Sequence, residues 1–420
     1  LKQRKKDLVI FEEFKLHPAV AAGVQVAGFV KPTPIQTQAI PSVMQGRDII
    51  GLAQTGTGKT AAFALPILNR LMHGARGRVR ALIIAPTREL VEQIHKDFGT
   101  LGRQTGLRSV TVYGGVNVNP QIARLRKGVE IVVACPGRLL DLIGQGAINL
   151  SGLEVLVLDE ADHMFDMGFL PDIRRILQNL PRERQTLLFS ATMPTDIRRL
   201  AEDILRDPVA VQVGQTAPAE TVRHAFFPVA QHLKTALLLE LLRHTDTQSV
   251  LVFTRTKHRA KRLGEQLDKA GYRTASLQGN LSQGRRQAAL DGFRTGKYQI
   301  LVATDIAARG IDVSQISHVI NYDIPDTPDA YIHRIGRTGR AARSGDAFTL
   351  ITGEDKGMVQ AINRVLGSAV ERRTLSGFDY AVRAPQKDTS GFREDSRPRS
   401  GGFQRPGKTG QRNGRPAYPR

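Results

Sequence analysis

The chain of 420 residues has a single cysteine, Cys135, and no tryptophan. One cysteine excludes an intramolecular disulfide and fits a cytoplasmic protein. No run of about 18 or more apolar residues occurs, so neither a membrane span nor a membrane partner is expected. The ten histidines fall into no metal-ligand spacing. The opening Leu1-Lys2-Gln3-Arg4-Lys5-Lys6 is basic, but Glu12 and Glu13 interrupt the apolar stretch after it, and no secretory leader is expected. Acidic residues are scarce beside basic ones: 39 Asp and Glu face 60 Lys and Arg, a formal charge of +21. Solubility is the bland explanation of that excess, and a polyanionic partner, most simply nucleic acid, is the sharper one. At 41% hydrophobic and 24% charged the composition is that of a soluble globular protein, long enough for two domains and a tail.

One stretch organises the rest. Ala53-Gln54-Thr55-Gly56-Thr57-Gly58-Lys59-Thr60 follows the apolar run Asp48–Leu52 and precedes the helical pattern Ala61–Leu65. A strand, a glycine-rich turn ending in Lys-Thr and a helix form the architecture of a nucleoside triphosphate cradle. Gly56 and Gly58 let backbone N–H groups approach phosphate, Lys59 reaches the β- and γ-phosphates, and the Thr60 hydroxyl suits Mg²⁺. The eight-residue pattern is broken by Ala53 in place of its first glycine, yet Gly402–Thr409 matches it fully. That second match has only Gly, Pro, Arg and Ser around it. Without a fixed backbone its N–H groups cannot converge on one phosphate, so it is read as chance.

Short β-branched and leucine-rich runs recur, each ending in a polar or glycine-containing motif. Ala81–Ala85 leads to Pro86-Thr87-Arg88-Glu89-Leu90, Val110–Tyr113 to Gly114-Gly115, and Ile131–Ala134 to Cys135-Pro136-Gly137-Arg138. Val155–Leu158 leads to Asp159-Glu160-Ala161-Asp162, and Leu187–Phe189 to Ser190-Ala191-Thr192. The pattern restarts with Val250–Phe253 before Thr254-Arg255-Thr256, Ile300–Ala303 before Thr304-Asp305 and on to Arg309-Gly310-Ile311-Asp312, and His318–Asn321 ahead of His333–Arg340. Such runs separated by helical patterns predict α/β lobes with parallel sheets covered on both faces, and ligands beyond the carboxyl ends of the strands. The expected layout is a basic N-terminal segment over 1–10, a nucleotide-binding lobe over 11–213, a linker over 214–221, a second lobe over 222–375 and a disordered basic Arg/Gly/Pro-rich tail over 376–420. The last 38 residues carry ten Arg or Lys against three Asp or Glu. Arginine with interspersed Phe392, Phe403 and Tyr418 suits loose single-strand binding, with a solubilising tail as the alternative.

Carboxylates after a strand are often only a helix cap. After a phosphate cradle in the same sheet, Asp159 suits Mg²⁺ and Glu160 suits orienting or deprotonating the attacking water. In Arg337-Thr338-Gly339-Arg340, the arginines are placed to reach γ-phosphate oxygens from a second element, or else form a basic surface turn.

Taken together, from about Phe11 to Tyr380, the chain resembles the DEAD-box ATP-dependent RNA helicases, with about a dozen motifs in the family's order. Arg255–His258 and Phe378–Tyr380 suggest the bacterial RhlE-like subgroup. The resemblance implies two RecA-like parallel-sheet lobes that close on ATP, Mg²⁺ and RNA, single-stranded or in a short duplex. It implies Gln36, with Phe11 or Phe29 nearby, at the adenine, and Gln54, Thr55, Gly56, Thr57, Gly58, Lys59 and Thr60 around the phosphates. Gly310 and Asp312 would lie at the nucleotide, Asp312 on the ribose, and Arg337 and Arg340 would be the arginine fingers. Asp162, Ser190 and Thr192 would couple the site to lobe closure. RNA contacts would come from Thr87, Arg88, Gly115, Gly137 and Arg138 in the first lobe and from Arg255, Gly279, Gln283, Arg286 and Thr304 in the second, without reading sequence strongly. Ribosome-assembly or RNA-decay proteins are the protein partners it suggests. Two departures stand out: Cys135 and Gln278 occupy positions where the family usually has Thr and His. The rival readings are an ATP-gated RNA clamp whose unwinding is incidental, and a passive binder led by the tail, which intact Lys59, Asp159, Glu160 and Arg337 argue against.

Overall fold

A computed structural model describes residues 10–54, 56–213, 222–245, 248–308, 316–339 and 345–383. Residues 1–9, the expected linker 214–221, Gly402–Thr409 and the tail from 384 lie outside the described residues, as do Thr55, Gly310, Asp312 and Arg340.

The apolar runs are strands. In chain order the first lobe contains β1 (Ile49–Leu52), β2 (Ala81–Ile84), β3 (Ser109–Val112), β4 (Ile131–Ala134), β5 (Val155–Leu158), β6 (Gln185–Ser190) and β7 (Val209–Gln212). The second contains β8 (Val222–Pro228), β9 (Val250–Phe253), β10 (Thr274–Leu277), β11 (Ile300–Ala303), β12 (His318–Asn321), β13 (Gly345–Ile351) and β14 (Glu371–Arg372). The first sheet runs β3-β4-β2-β5-β6-β1-β7 and the second β10-β11-β9-β12-β13-β8-β14. Strand for strand the two orders are the same, and every pairing is parallel.

Successive residues of a strand point to opposite faces, so continuous apolar runs imply burial on both. Ile83, Val133, Val157 and Phe189 enter one core of the first lobe, while Leu82, Ile84, Val132 and Leu156 enter the other. In the second lobe Leu251, Phe253 and Leu301 face one core and Val250, Val252 and Ile300 the other. Leu375, Phe378 and Tyr380 also pack on that last core, and the compact unit ends at Tyr380, past the expected boundary at 376. No helix of the described residues is long and apolar enough to cross a membrane.

Chain order then places the site. From β1 the chain crosses over β6 and β5 to reach β2. The carboxyl ends of β1, β6 and β5 are therefore adjacent, and at about 4.8 Å per strand the loops after β1 and β5 face each other across about 10 Å. That is the crevice where open α/β sheets take ligands.

Candidate active site

The loop after β1 is held open by glycine. Gly56 and Gly58 have φ of 86° and 92°, a left-handed conformation that side chains resist. A Cβ on Gly58 would meet Gln36 Nε2 at 2.5 Å and Thr33 Oγ1 at 2.9 Å. Gln36 is buried, donates from Nε2 to the Gly58 carbonyl (3.1 Å) and accepts at Oε1 from Thr33 N–H (2.9 Å). The amide assigned to adenine thus also ties the helix Pro34–Met44 to the phosphate loop, with one N–H and one lone pair still in hand. Above it, Phe11 and Phe29 stack at 6.1 Å between centroids, Phe29 with 41% of its surface exposed.

Lys59 opens the helix Lys59–Leu71, and its Nζ is buried without a hydrogen-bond partner. A buried ammonium left this way is costly, and a phosphate anion in the glycine cradle would satisfy it. Across the crevice Asp159, Glu160, Asp162 and His163 are all buried after β5. Burial pushes Asp159 up to about 6, with Lys59 opposing and Glu160 adding to the shift. Burial also pushes Glu160 upward, but the charge and hydrogen bond of His163, with Lys59 and Arg337, outweigh it and hold Glu160 far below the carboxylate range. Glu160 itself sits at φ 52°, a strained angle for a residue with a side chain.

Asp162 ties the segment after β5 to the one after β6. Its Oδ2 accepts from Ala191 N–H (3.1 Å), Thr192 N–H (2.9 Å) and Thr192 Oγ1 (3.1 Å), and its own N–H donates to Ser190 Oγ (3.1 Å). His333, from the second lobe, brings Nε2 to 3.9 Å from the same oxygen and packs edge-on against His163 at 5.1 Å. Burial, then the proximity of His163, push His333 down to about 4, so it faces Asp162 as a neutral ring. Arg337 is buried beside these rings, in a cavity that His163, His333 and Arg334 also line.

The expected RNA contacts cluster at neighbouring strand ends. Thr87 caps the helix Arg88–Leu101, and Arg88 lies so close to Gly115 that a Cβ there would meet its guanidinium at 2.2 Å. Gly137 and Gly279 face open space. Arg138 donates to the Val116 carbonyl at 3.4 Å, and Thr304 follows β11, half-buried. Arg255 is fixed by its N–H to Asp323 (2.9 Å) and its guanidinium beside Asp326 (3.3 Å). Sequence reading missed Glu89, whose Oε1 accepts from Arg286 Nε (2.8 Å) and Gln283 Nε2 (3.5 Å), while Arg88 donates to Gln283 Oε1 (3.3 Å). Proposed RNA ligands of the two lobes thus bond to one another. The only available signal was a buried acid in a helix's first turn, which reads as an ordinary cap.

Both departures are absorbed by packing. Cys135 is the N-cap of the helix Pro136–Gly144, packs into the first core, and burial pushes its thiol up to about 12. Pro136-Gly137-Arg138 is thus the first turn of that helix. Gln278 is buried and accepts from Asn280 N–H at 2.7 Å, bracing the loop that carries Gly279.

Comparison with known proteins decides the family. Residues 33–200 match the DEAD/DEAH box helicase model and 233–342 the helicase conserved C-terminal domain. A DEAD-box ATP-dependent RNA helicase, CshA of Bacillus licheniformis, is 40% identical over 382 residues, covering 91% of this chain and 78% of that protein. The chain belongs to the DEAD-box ATP-dependent RNA helicases. As in that family, its two sheets are RecA-like lobes, its activity is RNA-stimulated ATP hydrolysis coupled to helicase action, and RNA and ATP are its ligands. S. cerevisiae Dbp5 bound to RNA and ADP BeF3 superposes with a TM-score of 0.80 at 32% identity, over 87% of this chain and 95% of that one. A variant of the same yeast protein bound to Gle1 and IP6 gives 0.73 at 31% identity, over 88% and 96%. The bacterial relative is a CshA, so the comparisons place this helicase in the family without assigning it to the RhlE-like subgroup.

Proposed function

We propose that this helicase opens short RNA duplexes locally, holding one strand by its backbone while ATP bridges the lobes. The observation that carries the reading is the buried, unpartnered ammonium of Lys59 facing Asp159 and Glu160, with Arg337 of the second lobe close to Glu160 and His333 brought against Asp162. Gly56, Gly58 and Lys59 would hold the phosphates, and Gln36 with Phe11 and Phe29 the adenine. The donor set at the crevice, a carboxylate and a hydroxyl, suits a hard cation that keeps water and phosphate oxygens as its other ligands. Asp159 and Thr60 would hold Mg²⁺, which supplies positive charge to the phosphoryl oxygens. Glu160, kept ionised, orients the attacking water, and Arg337 stabilises charge on the transferring group, a role that Arg340 would share.

RNA would lie along the ends of β2, β3, β4, β9, β10 and β11, where Thr87, Arg88, Gly115, Gly137, Arg138, Arg255, Gly279 and Thr304 stand. The Glu89–Arg286 and Arg88–Gln283 contacts support a closed groove. The higher TM-score against the RNA- and ADP BeF3-bound yeast protein supports the same closed arrangement. Bending the held strand opens adjacent pairs at about 1.4 kcal/mol per step, a cost that local closure can meet without translocation. The same reading includes the RhlE-like affiliation, supported by Arg255–His258 and by the Phe378–Tyr380 pair, whose rings meet edge-on at 4.8 Å. It also includes a cytoplasmic place and assembly with ribosome-assembly or RNA-decay proteins. The test is displacement of a short duplex by the full chain with ATP and Mg²⁺. Tight ATP-dependent RNA binding with no strand release would favour an RNA clamp instead.

A further inference from the structure

The side chain best placed to set the carboxylate of Glu160 lies outside the motifs read from the sequence. His163 immediately follows the acidic quartet, on the short helix Ala161–Asp166, and is 4% exposed. Its Nδ1 lies 2.9 Å from Glu160 Oε2, inside a site where both side chains are almost fully excluded from water. A carboxylate oxygen only accepts, so at this distance the imidazole is the donor, through Nδ1–H. A carboxylate accepting such a bond loses rotational freedom, and a base oriented by a third group is the recurring arrangement in hydrolytic sites. The ring is fixed in turn. Its backbone N–H donates to Asp162 Oδ1 at 3.0 Å, and the ring meets that of His333 in a T-shaped contact at an interplanar angle of 90°.

We infer that His163 is a positioning residue for ATP hydrolysis. Its Nδ1–H holds Glu160 Oε2 so that the carboxylate addresses the attacking water, and His333 from the second lobe clamps the His163 ring when the lobes meet. The pair would link closure to the geometry of the base as well as to Asp162. The inference rests on Glu160 acting on water, as in the proposed function.

The test uses the full chain with saturating single-stranded RNA. His163→Leu should lower kcat by about 10-fold to 100-fold with KM for ATP changed less than about threefold. Its RNA affinity in the presence of a non-hydrolysable ATP analogue should stay as in the unsubstituted protein, which also verifies folding. His163→Asn, whose Nδ2 can occupy the place of Nδ1, should restore kcat to within about threefold, whereas His163→Gln, with its donor one bond farther out, should not. A His163→Leu protein that keeps kcat within about twofold overturns the inference, as does equal loss in the Leu and Asn variants with binding intact. If the Leu variant fails to fold, the Asn and Gln pair decides alone: restoration by Asn and not Gln supports the role, and any other order overturns it. An unsubstituted protein with no RNA-stimulated ATPase would instead defeat the reading of Glu160 on which the inference stands.

Discussion

The two lobes place the same residue types at the same point of the same sheet and use them for opposite ends. In the first, β1 leads through a loop with Gly56 and Gly58 to Lys59-Thr60 at the start of a helix. In the second, β8 occupies the corresponding sheet position and leads to Lys234-Thr235 at the start of the helix Lys234–His244. Even the acid after the fourth strand position recurs, Asp159 after β5 and Asp323 after β12. The difference lies in the loop. Val229–Leu233 has no glycine and no left-handed residue, so its N–H groups cannot form a concave nest. Lys234, also buried, donates to the Tyr322 carbonyl at 3.0 Å and stands 3.7 Å from Asp323, which Arg259 binds at 2.6 Å. Lys234 is satisfied by protein oxygens, whereas the Nζ of Lys59 has no hydrogen-bond partner. One lysine is left without a partner and the other is a structural cation, and two glycines mark which is which.

The largest effect should fall on the first lysine. Lys59→Ala should cut RNA-stimulated kcat by about 10²–10³-fold, the scale of losing one preorganised charge contact to a transition state. Lys408→Ala, in the tail that matches the loop pattern by chance, should keep nearly full steady-state ATPase. A dead Lys408→Ala enzyme would break the assignment of the site.

Lys234 should answer in stability rather than chemistry. Lys234→Met removes one of the cations beside Asp323, which keeps Arg259, and the donor to the Tyr322 carbonyl, which should cost about 1.5–3 kcal/mol in denaturant unfolding of the full chain, with kcat at saturating RNA near normal wherever the protein stays folded. Lys234→Met with Asp323→Leu should recover part of the loss. A Lys234→Met protein of full stability and no ATPase would mean that the second lobe also takes nucleotide.

Glycines sharpen the contrast further. Gly58→Ala adds a Cβ at a left-handed φ and against Gln36, a strain of about 1–2 kcal/mol that should raise KM for ATP about tenfold. Gly279→Ala, at the end of β10, adds a Cβ that meets nothing, so stability should hold within about 0.5 kcal/mol. Weaker RNA binding by that variant, read by fluorescence anisotropy, would place a ligand against the loop, and unchanged RNA binding would remove Gly279 from the interface.

The smallest effect concerns strand ends that correspond between lobes, Cys135 after β4 and Thr304 after β11. Burial keeps the Cys135 thiol protonated well above neutral pH, so alkylation at pH 8 should be slow in the native protein and much the same with RNA, nucleotide, both or neither. Intact mass reads this directly, since no other cysteine exists. Thr304→Cys in a Cys135→Ser background should label faster and become protected when RNA and an ATP analogue are both present. Strong ligand protection of Cys135 itself would put its side chain at the RNA surface after all.

Legibility in the sequence followed local physics. Strands buried on both faces, such as β2, β4, β5, β9 and β11, announce themselves as unbroken apolar runs. The half-exposed β7 and β10 and the two-residue β14 do not, because packing neighbours rather than composition make them strands. The strand, glycine loop and helix around Lys59 were readable because they are contiguous in the chain. His163 was not, because a histidine after an acidic quartet has many uses until its ring is found 2.9 Å from Glu160.

From its residues alone this protein was bound to form apolar strands buried on both faces and one glycine-built loop between a strand and a helix, since each depends on neighbours in the chain. Only tertiary structure decided that Glu89 would meet Arg286, 197 residues away, that His333 would close on Asp162 and His163, and that Lys234 would meet Asp323 while Lys59 was left without a hydrogen-bond partner. Pairings across such distances leave no periodicity or spacing behind them. They exist only where folding has placed one strand end opposite another and removed the water between.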